Sequence, residues 1–573
     1  MSMARRTIGM GLATALSLAL VACTPPPDWT SPEYIGSQIV KGDERAFAEL
    51  SRLTPEQQKS VAPRLIEAYN AGVLPNRAIE SLVPLADPTA KAAFEAALTK
   101  SDDMLASLAA RGLAELNDTA SAPAIAKRLG EVTTDEAFAG FFEALEKLPS
   151  QQAADGLAAV MMRPAAKLGG AGRVRSGCRA LAASPSPSDA VLDALVFSTV
   201  NFTPQPFNDP FADCELALLK FKEASIPKLV EVFKGNNQKV NDHLKELKYP
   251  VVTGQLRAAA ALAHSRAASA ALTEYVSAPR PVPRAELASM SIEDQQNYFS
   301  NSGQLFDMVV KGLAWAGGEA NVATIRRLES TGEGSLLVNF EDWFGLSAGA
   351  EVGLRQSVHE ALSIVGNDDD RKLLWQRAEA GTVGRGGDNS NGLLRTNVLH
   401  FLGRTARPGE MAAFDKVLAA QTRFRSSFTP LRLYFALADK CQADVACLSG
   451  ALKDPVATLN DPALKAIVDA VTDAAEKAPF TNAATTNVRV GSIWQLGLRI
   501  GGDAGVGALL DNLGDGNIDS RIDIGSVLLY AAKFPADAGT KLDAGIAVDA
   551  GKSGVQGLKQ ARDAYRLVRA TRL

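Results

Sequence analysis

Aromatic side chains are scarce in this chain, 6% of 573 residues, and histidines scarcer still, with four. His243, His264, His359 and His400 are scattered without ligand spacing, and no two cysteines form a Cys-x-x-Cys pair, so no zinc centre is expected. Positive charge is not in excess: 60 Lys and Arg stand against 64 Asp and Glu. Such a mildly acidic chain has no global field favouring nucleic acid. Beyond the first two dozen residues, no apolar run approaches the ~18 needed to span a bilayer. What abounds is Ala, Leu and Val, which carry most of the 46% hydrophobic content. Small aliphatic side chains suit closely spaced helices, and the length admits several cores or one elongated array.

The N-terminus has a different character. Arg5 and Arg6 precede an uncharged run over 7–19, and Leu20-Val21-Ala22-Cys23 ends it with small residues before a cysteine. This is the layout of a secretory signal, and its ending resembles the lipobox of bacterial lipoproteins. The resemblance implies a signal peptide over 1–22, cleavage after Ala22, diacylglycerol on the Cys23 thiol and acylation of the new amino group. Two or more acyl chains, at about 0.8 kcal/mol per buried CH₂, make a lasting membrane anchor. Loss of 1–22 removes two of the 60 basic residues and none of the 64 acidic ones, leaving a net charge of −6. Thr24-Pro25-Pro26-Pro27-Asp28 reads as a stiff spacer, making 23–37 a tether. Asp is absent from position 24, which by the same resemblance points to the outer membrane, facing the periplasm.

Besides Cys23 there are Cys178, Cys214, Cys441 and Cys447. An even number in an exported protein favours disulfides. Proximity favours Cys178–Cys214 and Cys441–Cys447 among the three possible pairings; buried free thiols are the alternative.

From residue 38 onward the chain reads as amphipathic helices in pairs, with almost no strand-like alternation. Inward leucines near the end of each first helix recur at Leu50, Leu82, Leu113, Leu145, Leu181, Leu219, Leu262, Leu313, Leu362, Leu399 and Leu437, spaced 31 to 51 residues apart. Gly317, Gly366 and Gly403 follow their leucines as helix stops, with Asn117 in a similar place. Two second helices open alike, Ala120-Ser-Ala-Pro123-Ala-Ile125 and Ala224-Ser-Ile-Pro227-Lys-Leu229, with proline where a first turn tolerates it. Arg111-Gly-Leu-Ala-Glu-Leu-Asn-Asp118 with Ala120 and Pro123 resembles a HEAT repeat of the short, phycobilisome-lyase-like type. Gln255-Leu-Arg257, Leu354-Arg355 and Leu394-Arg395, each followed by aliphatic residues, repeat its pattern. The resemblance implies an all-α fold, an α-solenoid of stacked antiparallel helix pairs over 38–573. One pair cannot bury its apolar face alone, so about a dozen must stack. Loop insertions are expected near 201–214, 279–303, 330–352 and 381–392. A capping helix is expected over 557–573, with Leu558, Ala561, Tyr565 and Val568 on one side and arginines elsewhere.

Chemistry-bearing patterns are few. Gly345-Leu-Ser347-Ala-Gly349 matches the Gly-x-Ser-x-Gly of serine hydrolases, with His359 twelve residues on, but lacks the strand that lifts such a serine. Asp515, Asn517, Asp519 and Asp523 resemble the start of a calcium loop. Ser520 replaces the turn glycine and Ser526 the bidentate glutamate, so a polar turn capped by Asp519 is favoured. Gly384–Gly392 reads as a flexible glycine-rich loop, and Asp368–Asp370 as a solvated turn. Phe202, Phe207 and Phe211, and also Tyr298 and Phe299, are aromatics in irregular insertions: partner anchors, or side chains packed down onto the array. The sequence thus points to a lipid-anchored scaffold that holds an envelope protein, without cofactor, nucleic acid or catalytic set. The alternatives are an enzyme or enzyme subunit (a hydrolase using Ser347, or a lyase-like activity) and an envelope protein gripping peptidoglycan through its basic C-terminal helix.

Overall fold

A computed structural model describes residues 28–477, apart from 205–206, 280–281, 331–332, 341–347, 381–387, 421–427, 443, 454 and 473, together with 496, 537–548 and 562. The chain forms two compact units. One holds the chain up to Val160 with Lys167–Gly169 and Ala183–Pro185; the other holds Met161–Ala166, Gly170–Ala182 and the chain from Ser186.

The first unit contains α1 (Pro32–Val40), α2 (Glu44–Leu50), α3 (Pro55–Asn70), α4 (Pro75–Leu82), α5 (Lys91–Leu98), α6 (Asp103–Glu115), α7 (Ala122–Glu131), α8 (Phe138–Lys147) and all but the last residue of α9 (Gln151–Met161). Their starts are written locally. Ser31, Asp43 and Asp102 cap α1, α2 and α6 by accepting first-turn N–H bonds, and Thr54 with Gln57 forms a capping box before α3. Helices α4, α6 and α8 pack in succession, with α5 and α7 layered against α6 and α8.

The second unit holds α10 (Ala171–Ala182), α11 (Asp189–Ser198), a short hairpin of β1 (Thr203–Pro204) and β2 (Phe207–Asn208), α12 (Phe211–Lys220), α13 (Ile226–Phe233), α14 (Gln238–Glu246), α15 (Val252–Ala263), α16 (Ser269–Ser277), α17 (Arg284–Ser289), α18 (Ile292–Ala316) and α19 (Glu319–Glu329). It continues with α20 (Ala348–Val365), α21 (Asp368–Ala380), α22 (Asp388–Arg404), α23 (Met411–Ala420), α24 (Thr429–Cys441), α25 (Val445–Lys453), α26 (Pro455–Leu459), α27 (Pro462–Asp469), α28 (Ala474–Lys477) and α29 (Ala538–Val548). Helices α10, α12, α15, α18, α20, α22 and α24 pack each on the next. They carry Leu181, Leu219, Leu262, Leu313, Leu362, Leu399 and Leu437, all buried, as are the four leucines of the first unit. The fold is all-α, and within each unit the pairs stack as in an α-solenoid. No described helix is long and apolar enough to cross a membrane.

Several expectations need correction. Residues 279–303 are mostly helical, and Tyr298 and Phe299 lie inside α18. The start of α18 is set by the Ser291 cap with Glu293 and Asp294 in the first turn, and its exposed first turns show no apolar stripe. The expected insertion near 330–352 gives way to α20 from Ala348, and the glycine-rich loop to α22 from Asp388. Gly403 is no helix stop, because α22 runs to Arg404; a side chain there would press on Leu431, with Cβ only 2.8 Å from its Cδ2. Gly317 and Gly366 do follow helix ends. Pro123 and Pro227 stand in the first turns of α7 and α13.

Candidate functional site

The segment 201–214 departs most from helix pairing. Thr203 pairs with Asn208 and Pro204 with Phe207, antiparallel. Two-residue strands do not hold themselves, so neighbouring helices fix this one. Arg257 on α15 donates to both Asp209 oxygens, at 2.8 and 2.9 Å, and to the Thr199 carbonyl. Its guanidinium also lies 4.9 Å from the Phe202 ring centre and 5.4 Å from that of Phe211. Asp209 in turn accepts the Phe211 N–H that opens α12. Arg175 reaches the Asn208 side chain. Buried Asn201 accepts from the Ala165 N–H and donates to the Arg163 carbonyl.

This clamp divides the aromatics. Phe202 is buried, edge-on to Tyr249 with ring centres 4.7 Å apart. Phe207 rests against Phe202 at 5.8 Å yet stays 61% exposed. Phe211 is half-buried inside a helix. Of the three, only Phe207 therefore has the exposure of a partner anchor. Val251, 41% exposed, follows Tyr249 and Pro250 directly.

Alongside lies an open cavity of about 680 Å³, walled by Gln238, Asn241, Asp242, Lys245, Lys248 and Tyr249, with Pro250 and Val251 beyond. Asn237 caps α14 at its start. At its end Lys248 turns left-handed, φ 62°, while its N–H bonds to Lys245 O and that of Tyr249 to Leu244 O. These are the bonds of a helix stop whose left-handed position glycine usually takes. Asp242 accepts from Gln238 at 2.7 Å, whereas Lys245 and Lys248 have no ion-pair partner among the described residues.

Other polar clusters serve the body. His359 is completely buried, its Nε2 3.3 Å from Glu329 Oε1, with Nδ1 left without a hydrogen-bond partner. Arg377 grips Glu329 at 2.7 and 3.2 Å, and Arg355 joins Glu351 at 3.0 Å and the Glu329 carbonyl at 3.1 Å. Burial pushes the His359 imidazole below its ordinary value, against the pull of Glu329 and with the help of Arg355 and Arg377. Asp370 is not solvated as expected. It is buried, clasped by Arg326 at 2.8 and 2.9 Å, and bonded reciprocally with Asn367 in an Asn-x-x-Asp capping arrangement. Cys178 and Cys214 join α10 to α12, and Cys441, the last residue of α24, joins Cys447 in α25. Among the described residues no group of three or more His, Cys, Asp or Glu could hold a metal ion. Cys23, Ser347, the loop residues Asp515, Asn517, Asp519 and Asp523, and the expected cap over 557–573, Arg562 excepted, lie outside the described residues.

Sequence reading singled out Phe207 but passed over the α14 wall. Lys248-Tyr249-Pro250 held a usable signal, since proline two residues after a left-handed residue marks a helix exit. Arg257 was visible only as a repeat residue; its hold on Asp209 spans 48 positions and leaves no local trace.

No family model matches the sequence, and neither does any curated protein. Among solved structures, a chain of a homology model of the full-length AP-3 complex in an intermediate open conformation is 12% identical, with a TM-score of 0.29 over 97% of this chain and 98% of that one. Importin beta, crystallised in an ammonium sulfate condition, is 13% identical, with a TM-score of 0.31 over 94% of this chain and 80% of that one. A circular tandem repeat protein with novel repeat topology is 11% identical, with a TM-score of 0.15 over 95% and 99%. Likenesses this low carry no argument. The all-α class rests on the helices themselves.

Proposed function

We propose that this protein is a binding scaffold of a bacterial envelope, tethered by lipid at Cys23 and holding a protein partner in the periplasm. Repetition supplies the framework, and the reading rests on one observation: Phe207 is held out to solvent on a clamped hairpin, its ring against Phe202, which in turn meets Tyr249 of the cavity wall. Exposed apolar side chains on a rigid base form the usual core of a protein contact. The signal-like N-terminus and its Leu20-Val21-Ala22-Cys23 ending support the anchor and the compartment. The hydrolase alternative draws no support from His359, whose ring is enclosed and committed to Glu329.

A photoreactive amino acid at Phe207 tests the reading in intact cells. A discrete cross-linked protein is expected at that position and not at exposed Glu56 on α3. If no protein is enriched over an unrelated lipid-anchored control, the scaffold reading fails. Mass analysis of the mature N-terminus tests the anchor separately: a first residue without acyl chains overturns it.

A further inference from the structure

The wall beside Phe207 has a chemistry of its own. It carries one carboxylate, Asp242, already engaged by Gln238, and two ammonium groups, Lys245 and Lys248, without ion-pair partners among the described residues. Glu246 and Lys239 are exposed on the same helix but do not line the cavity. The charge on offer is positive, next to the apolar surface of Phe207, Tyr249, Pro250 and Val251.

Lys248 adds a second observation. It occupies the left-handed position at the end of α14, φ 62°, where any side chain strains the backbone and glycine does not. A lysine there costs some stability, and Lys248 is one of the residues that wall the cavity.

We propose that this surface receives an acidic peptide segment of a partner protein. An apolar side chain of that segment seats on Phe207, and a neighbouring carboxylate meets Lys245 and Lys248. This deepens the scaffold reading and rests on it. Binding is charge-assisted at an exposed rim, so it weakens as salt rises.

The test is selection of a phage-displayed random dodecapeptide library on the full chain, followed by anisotropy titrations of the selected peptides. Selected peptides are expected to place Asp or Glu within a few positions of an aromatic or large aliphatic residue. Affinity should fall about 10-fold in F207S, an exposed position whose loss leaves folding intact. K245E/K248E should weaken binding about 30-fold. K248G is the decisive variant: it relieves the left-handed residue, so thermal stability holds or rises, while affinity falls about 5-fold. A purely structural Lys248 would leave affinity unchanged. The proposal is overturned if no peptide is selected, if acidic residues are not enriched, or if K248G and K245E/K248E bind like the parent. It is equally overturned if phosphatidylglycerol vesicles, and not peptides, bind in a lysine-dependent way. Persistence of the Phe207 cross-link under any of these results leaves the scaffold standing with another partner chemistry; its absence removes the scaffold as well.

Discussion

Arg257 shows how much one side chain decides. It answers a carboxylate, a carbonyl and two rings at once, so lysine cannot replace it, having neither the planar fork nor five donors. Arg257→Lys should cost about 1–2 kcal/mol, and Arg257→Ala about 3 kcal/mol, because Asp209 is then left partly buried without its partner. Amide exchange at Phe207 and Asn208 should speed in both variants while exchange in α18 stays protected. Equal acceleration in α18 would mean that Arg257 supports the unit at large and not the hairpin. The same position of the repeat pattern holds Arg355, which also reaches the carbonyl of an earlier segment, at Glu329. The pattern of Leu and Arg before aliphatic residues was therefore legible in the sequence, whereas the purpose of its arginine was not. A repeat motif records a register, while partners 26 to 58 positions away are set by packing.

At the scale of elements, close approach is what the abundant small residues provide. Gly312 on α18 faces α15, and a Cβ there would lie 2.7 Å from the Ala263 Cα and 2.8 Å from a Leu272 methyl. Backbone cannot yield as a side-chain tip can, so Gly312→Ala should destabilise by about 2 kcal/mol despite its gain in helix propensity. Urea titration measures this, and a stabilised variant would show that the two helices part freely. Where an element carried its own apolar stripe or its own proline start, as α7, α13 and α15 do, the sequence showed it. Where it did not, reading failed in either direction. The hairpin at Thr203–Asn208 has too few residues for a strand period, and the first turns of α18, exposed Ile292 included, form no apolar stripe and are held by their cap.

Over the whole molecule, buried ionisable groups set the response to acid. Burial raises the Asp103 carboxyl, but the Thr133 N–H, Arg128 and the Thr134 N–H outweigh it and hold the group well below the usual carboxylate range. Burial likewise raises Glu329 and Glu410; His359 with Arg377, and Arg371, overcome it and leave both lowered. These groups bind protons more readily in the unfolded chain, so the stability they lend is present above their ordinary values near 4 and lost as pH falls through them. His243 and His359 are both lowered from 6.5, chiefly by burial. Each is then neutral when folded and charges first when unfolded, so stability begins to decline as pH drops through 6.5. Melting temperatures are therefore expected to fall in two stages, the first between about pH 7 and 5. The pair His243→Gln and His359→Gln should flatten that first stage and leave the second. An unchanged first stage would assign it to other groups.

The eleven leucines convey a further property of the chain. Ten of them sit on helices that pack in succession within their own unit, and the distance along the chain from one leucine to the next stretches from 31 to 51 residues while all eleven stay buried. Length can therefore be added between modules without rewriting the layer beneath, since a connector of doubled size costs only about 0.6 kcal/mol more to close. Descendants of such a chain are free to grow new surface furniture at any joint, and the hairpin at Thr203–Asn208 shows what one such joint can carry.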